Sequence, residues 1–156
     1  MKSRIASLTL AIVFAALRMS VAASAQVVNS PCSLARAAGT YGFTDSGTVV
    51  GIGPRTAVGT FTLDAAGNLV NGVATSSLNG AIADETFSGT YTVNANCTGT
   101  ISVEIFESGA EIFAVTLNTA FDDQMKELRG IFTSVVAPDG TSLSTIINVD
   151  AKKLVP

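Results

Sequence analysis

The chain has 156 residues, enough for one domain, with only 13% charged residues and neither His nor Trp. Without His, no Ser-His-Asp or Cys-His constellation can form. Twelve acidic residues stand against nine basic ones with no basic cluster, which argues against nucleic acid or an anionic membrane surface as a partner.

The N-terminus reads as a secretory signal peptide over residues 1–25. Lys2 and Arg4 form a positive n-region, Ile5 to Leu17 is almost continuously apolar, and Ala23-Ser24-Ala25 is a small-x-small cleavage site. The apolar run is too short for a span of about 20 residues, and Arg18 ends it. No integral membrane segment is expected after its removal, and the mature chain is expected to be secreted or periplasmic. Asn29-Ser30-Pro31 before Cys32 is not an apolar lipobox. Loss of Lys2, Arg4 and Arg18 takes the net charge from −3 to −6, a balance that serves solubility.

Residues 26–38 form a leader in which Leu34 to Ala38 could make a helical turn. It carries Cys32; the second cysteine is Cys97. Two cysteines in an exported chain are expected to pair. With no His and no C-x-x-C spacing they do not make a zinc site, and no metal or cofactor is expected.

From Gly39 the chain reads as strands. The first run is Gly39 to Thr44. Asp45 to Pro54, with Gly47, Gly51 and Gly53, reads as a flexible loop with room for a short strand at Val49-Val50. Thr56 to Leu63 alternates Ala57, Gly59, Phe61 and Leu63 against Val58, Thr60 and Thr62. Asp64 to Asn68 turns, and Leu69 to Ser76 returns. Glu85 to Val93 places Phe87, Gly89, Tyr91 and Val93 on one face. Gly99 to Phe106 alternates Ile101, Val103 and Ile105 against polar positions. Glu111 to Asn118, Leu128 to Val136 and Ser142 to Ala151 complete the set, the last two separated by the turn signal Pro138-Asp139-Gly140. Phe121 to Arg129 is a charged connection where a loop and a single helical turn capped by Asp122 compete.

The central stretch repeats itself. Gly59-Thr60-Phe61-Thr62-Leu63 returns as Gly89-Thr90-Tyr91-Thr92-Val93, each followed by a small-residue turn and a new run, with a weaker copy at Gly39-Thr40-Tyr41. Strand, tight turn and return strand, written twice, describe a meander. The fold class is all-β: about eight antiparallel strands in an up-and-down meander over residues 39–153, closing into a small barrel that removes its own edges. The alternative is a two-sheet sandwich, which needs long crossovers that the sequence lacks.

The segment G-T-Y-T-V-N-A-N-C-T-G-T (Gly89 to Thr100), then Lys126-Glu127-Leu128-Arg129-Gly130-Ile131 and the ending Asn148 to Lys153, resembles a group of uncharacterised secreted bacterial proteins. In these a G-T-Y-T-V-N-x-x-C-T-G-T segment precedes an E-I-R-x-I-like strand and a basic end. This chain has Leu128 for the Ile and a longer Asp139-Gly140 hairpin. The group brings no assigned activity. The meander is similar in architecture to lipocalin-like and allene-oxide-cyclase-like barrels, calycin-like in outline.

Candidate chemistry is sparse, and no catalytic residue is assigned. Glu104, Glu107 and Glu111 flank one hairpin and Asp122 and Asp123 lie on the next connection. A carboxylate pair could serve glycoside chemistry, but acidic residues at strand ends also serve solubility. No Ca²⁺ loop pattern and no P-loop occurs. Tyr41, Phe43, Phe61, Phe87, Tyr91, Phe113 and Phe132 are either core or the lining of an apolar ligand cup. The expectation is a secreted barrel that binds a small apolar or amphipathic ligand, against a non-catalytic structural or cell-envelope interaction protein and, last, a cyclase- or isomerase-like enzyme. The sequence is silent on oligomeric state.

Overall fold

A computed structural model describes residues 31–154; the expected signal peptide and the first residues of the leader lie outside them. Eight strands, β1 (Gly39–Val49), β2 (Gly53–Leu63), β3 (Asn68–Leu78), β4 (Ala81–Tyr91), β5 (Thr98–Glu107), β6 (Ala110–Asp122), β7 (Glu127–Val136) and β8 (Thr145–Lys153), follow one another around a closed antiparallel barrel. Closure is made by β1 against β8, from Tyr41 opposite Lys153 to Val49 opposite Thr145. The up-and-down order holds, and the sandwich does not form.

Strand parity sorts the side chains. In β5, Ile101, Val103 and Ile105 are buried while Thr100, Ser102 and Glu104 face solvent. In β2, Ala57, Phe61 and Leu63 are buried between exposed or half-buried neighbours. Gly59 holds the position between Ala57 and Phe61 because β3 runs too close for a side chain: a Cβ there would lie 2.0 Å from the Val73 carbonyl oxygen. Register shifts on β2/β3, β3/β4, β5/β6 and β6/β7 supply the local bends that a closed barrel needs.

Two sequence expectations change. Asp45 to Pro54 is not a loop: β1 continues to Val49 and β2 begins at Gly53. Gly47 suggested flexibility, but it sits in the ladder opposite Arg55. A Cβ there would meet the Ile146 carbonyl oxygen of β8 at 1.9 Å, so its glycine permits close strand approach. The competition at Phe121 to Arg129 resolves into strand plus turn. Phe121 and Asp122 end β6, and Asp123–Met125 make one tight turn with left-handed φ values of 43°, 57° and 69°. Left-handed non-glycine residues persist where packing over-determines them; Met125 is buried, and its carbonyl accepts a hydrogen bond from the Tyr41 hydroxyl at 3.0 Å.

One barrel end is capped. Cys32 and Cys97 form a disulfide with Cα atoms 5.1 Å apart, and the short helix α1 (Leu34–Ala37) follows, started by Ser33. The Tyr41 hydroxyl is shared between the carbonyls of Ala37 (2.7 Å) and Met125. That of Tyr91 donates to the carbonyls of Leu34 (3.1 Å) and Asp64 (2.5 Å). Lys153 Nζ donates to the carbonyls of Arg36 and Ala38, both at 2.9 Å. The cap thus lies over the end that carries the Asp64–Gly67, Asn94–Cys97 and Asp123–Met125 connections. The opposite end carries the other hairpin turns and the 137–144 connection, whose Leu143 packs against the core.

Candidate functional site in the barrel interior

Towards the uncapped end, three charged side chains point inward from three strands. Asp45 of β1, Arg55 of β2 and Glu85 of β4 are 3%, 8% and 3% exposed. Parity puts them there: Asp45 follows Tyr41 and Phe43, Arg55 precedes Ala57, and Glu85 precedes Phe87, each in steps of two. Arg55 and Glu85 lie two strands apart. They meet because β3 presents small inward side chains between them, Ala74 opposite Glu85 and Ser76 opposite Ala57, while the larger Leu78 lies opposite Arg55 at the strand end.

The contacts are unequal. Arg55 Nη1 donates to Glu85 Oε1 at 2.8 Å and Nη2 to Oε2 at 2.9 Å, a two-pronged pair. The Ser76 hydroxyl adds a hydrogen bond to Oε1 at 2.7 Å. From other side chains Asp45 receives only long bonds, both on Oδ2, from Arg55 Nε at 3.4 Å and Nη2 at 3.3 Å. Its other oxygen, Oδ1, is buried with no hydrogen-bond partner among the described residues.

One cation therefore faces two carboxylates in a low-dielectric interior. Burial raises the Glu85 carboxyl, but the hydrogen bonds and charge of Arg55, with Ser76, outweigh it and hold the group below its ordinary value. For Asp45 burial dominates and the neighbouring Glu85 charge adds to it; the weaker hold of Arg55 and the Ala57 backbone N–H do not compensate, so its carboxyl is pushed up. Arg55 is pushed further towards its charged form by both partners, against burial.

Beside the cluster lies an apolar cavity of about 60 Å³, lined by Phe43, Phe61, Phe87, Phe132, Val103 and Val149 among others, with Asp45, Arg55 and Glu85 in its wall. A smaller space of about 20 Å³ continues towards the rim past Arg55, between Phe113, Phe132 and Leu143. Phe43, Phe61 and Phe87 form one aromatic group: Phe43 meets Phe87 edge-on at 5.7 Å, and Phe61 lies 5.7 Å from Phe43 and 6.4 Å from Phe87. Phe43, Phe87, Phe113 and Phe132 line these spaces and are only half-buried, because the interior is not filled.

Of the seven aromatic residues singled out in the sequence, four line the cavity and Phe113 lines the smaller space. Tyr41 stacks on Phe61 at 5.4 Å but spends its hydroxyl on the cap, as does Tyr91, whose own hydroxyl burial pushes up to about 12. The carboxylates singled out earlier lie elsewhere: Glu104, Glu111, Asp122 and Asp123 are exposed, and Glu107 is half-buried on β5 opposite Glu85. The buried carboxylates are Asp45 and Glu85, which sequence reasoning passed over. Their signal was parity with neighbouring aromatics. The glycines from 47 to 53 mask it for Asp45 and Arg55, and Glu85 stands at the start of its run, where a polar residue is ordinary.

Fold and site define a class: a small closed β-barrel with a disulfide-tied cap and an ion cluster beside an apolar cavity. No protein-family model matches the chain, and no curated protein matches it in sequence.

Proposed function

We propose that this chain is an exported barrel that binds a small, mainly apolar molecule in its interior, admitted at the end opposite the cap. We further propose that it belongs with the secreted proteins sharing the Gly89 to Thr100 segment. The observation that carries the binding reading is the set of inward phenylalanines, Phe43, Phe87, Phe113 and Phe132, left half-buried around unfilled space. A filled barrel would bury them, since interiors pack as densely as organic crystals. The Cys32–Cys97 bridge supports export, because such bonds persist in oxidising compartments. Among the described residues no helix is long and apolar enough to cross a membrane.

Native mass spectrometry of the protein purified from its host tests the reading. A retained small molecule is expected. A bare chain, together with no change in the methyl NMR signals of Val103 and Val115 under xenon, a probe for dry apolar cavities, would count against it.

A second reading, a surface-interaction protein without a small ligand, is favoured by the exposed Val50, Ile52, Val58, Val73, Ile82 and Ile146. Capture of a cell-envelope partner that Val58→Ser with Val73→Ser abolishes would select it.

A further inference from the structure

The ion cluster is unbalanced in a way that selects a ligand. Arg55 and Glu85 satisfy each other with two short hydrogen bonds. Asp45 is the surplus group, with one oxygen weakly held and the other unanswered among the described residues, and it stands in the cavity wall. Native proteins seldom leave a buried polar atom unpaired, because its desolvation is not repaid. Two charged carboxylates against one guanidinium would also leave a net negative charge inside an aromatic cavity. A proton on Asp45 removes that charge. Oδ2 already faces the Arg55 donors, so the proton belongs on Oδ1. Asp45 is then a neutral acid that needs an acceptor.

We propose that the cavity takes a neutral molecule with an apolar body and one oxygen acceptor, a ketone, aldehyde or alcohol, held by a hydrogen bond donated from Asp45 Oδ1. This rests on the reading of the interior as a binding cavity. Size narrows the class: about 60 Å³ is about four times the ~15 Å³ that one water needs by the same measure, room for about four or five heavy atoms without rearrangement. The aromatic and aliphatic wall holds the carbon skeleton. The groups facing Asp45 are Arg55 and the Ala57 backbone N–H from β2, the Ser76 hydroxyl and Glu85 beyond it from β3 and β4, and the apolar Val149 opposite it on β8. Only Asp45 is both unsatisfied and able to change its charge without breaking the Arg55–Glu85 pair. The raised carboxyl of Asp45 agrees with this assignment.

The test compares 2-butanone with its alkene isostere 2-methyl-1-butene, and with isopropylammonium, by NMR titration of the full mature protein in mildly acidic buffer. The ketone should bind roughly tenfold tighter than the alkene, the net worth of one buried hydrogen bond. Asp45→Asn, whose amide still donates, should keep that preference and make it independent of pH. In the native protein it should fade as pH rises and Asp45 loses its proton. Asp45→Val should bind both equally. Equal affinity of the native protein for ketone and alkene, as when an ordered water already answers Oδ1, overturns the proposal while leaving interior binding intact. Tighter binding of the ammonium overturns it in favour of a charged Asp45. No binding of any probe overturns the cavity reading itself. The comparison of probes on the native protein stands even if a variant fails to fold.

Discussion

Arg55 and Glu85 join across an intervening strand, guanidinium to carboxylate, at 2.8 and 2.9 Å, both more than nine-tenths buried. The pair crosses β3 only because Ala74 and Ser76 are small, so one hydrophobic side chain at either position would separate it.

Removing one partner is expected to cost far more than removing all. Glu85→Ala leaves a buried guanidinium with only the long contacts of Asp45 and should lower stability by about 3–5 kcal/mol. The triple change Asp45→Val, Arg55→Met and Glu85→Leu removes the whole cluster together and should be neutral or stabilising by about 1–4 kcal/mol. Urea denaturation of both variants decides; a triple variant weaker than Glu85→Ala would refute the account.

Stability should depend on pH through two opposed groups. Asp45 binds its proton more tightly folded than unfolded, so its contribution is complete below its ordinary value of 3.8 and is lost as pH rises through the raised folded value. Glu85 is the reverse: its contribution is complete above 4.5 and is lost as pH falls through the lowered folded value. Asp45→Asn should abolish the decline on the alkaline side and leave the acid limb. Urea midpoints over roughly pH 3 to 9 measure this, and identical alkaline slopes for the two proteins would contradict it.

Cys97→Ser should lower stability by about 4 kcal/mol, the chain-entropy value for a crosslink spanning 65 residues. The strands should survive, because Cys32 lies outside all eight of them. Amide exchange gives the sharper readout. Protection should fall at Ala37 and Ala38, whose N–H groups bond to Ser33 and Leu34, while that of Val103 and Val115 in the β5/β6 ladder persists at the level of the reduced global stability. Unchanged exchange at Ala37 and Ala38 would show that the disulfide does not hold the cap.

Tyr41→Phe should cost about 1–3 kcal/mol, since it leaves the buried carbonyls of Ala37 and Met125 without their hydroxyl donor. Ring packing on Phe61 is retained, so the loss should appear as faster exchange in the cap and the Asp123–Met125 turn. A loss confined to β1 and β2 would assign the role of Tyr41 to packing alone.

The sequence by itself determined the class of fold. Alternation at Ala57 to Leu63, Phe87 to Val93 and Ile101 to Ile105 is a local property of each strand, and short turns between such runs permit only a meander. It also determined the partner of Cys32, since the sequence holds just two cysteines and the other is Cys97. Tertiary structure alone decided the rest. Gly47 read as a loop because a glycine needed for flexibility and one needed for close approach are the same letter; only the Ile146 carbonyl beside it tells them apart. The ion cluster is assembled from residues 10 and 30 positions apart. No local pattern encodes which carboxylate receives two short bonds and which is left with a bare oxygen, because that depends on the barrel's curvature and on the small residues of β3 between them.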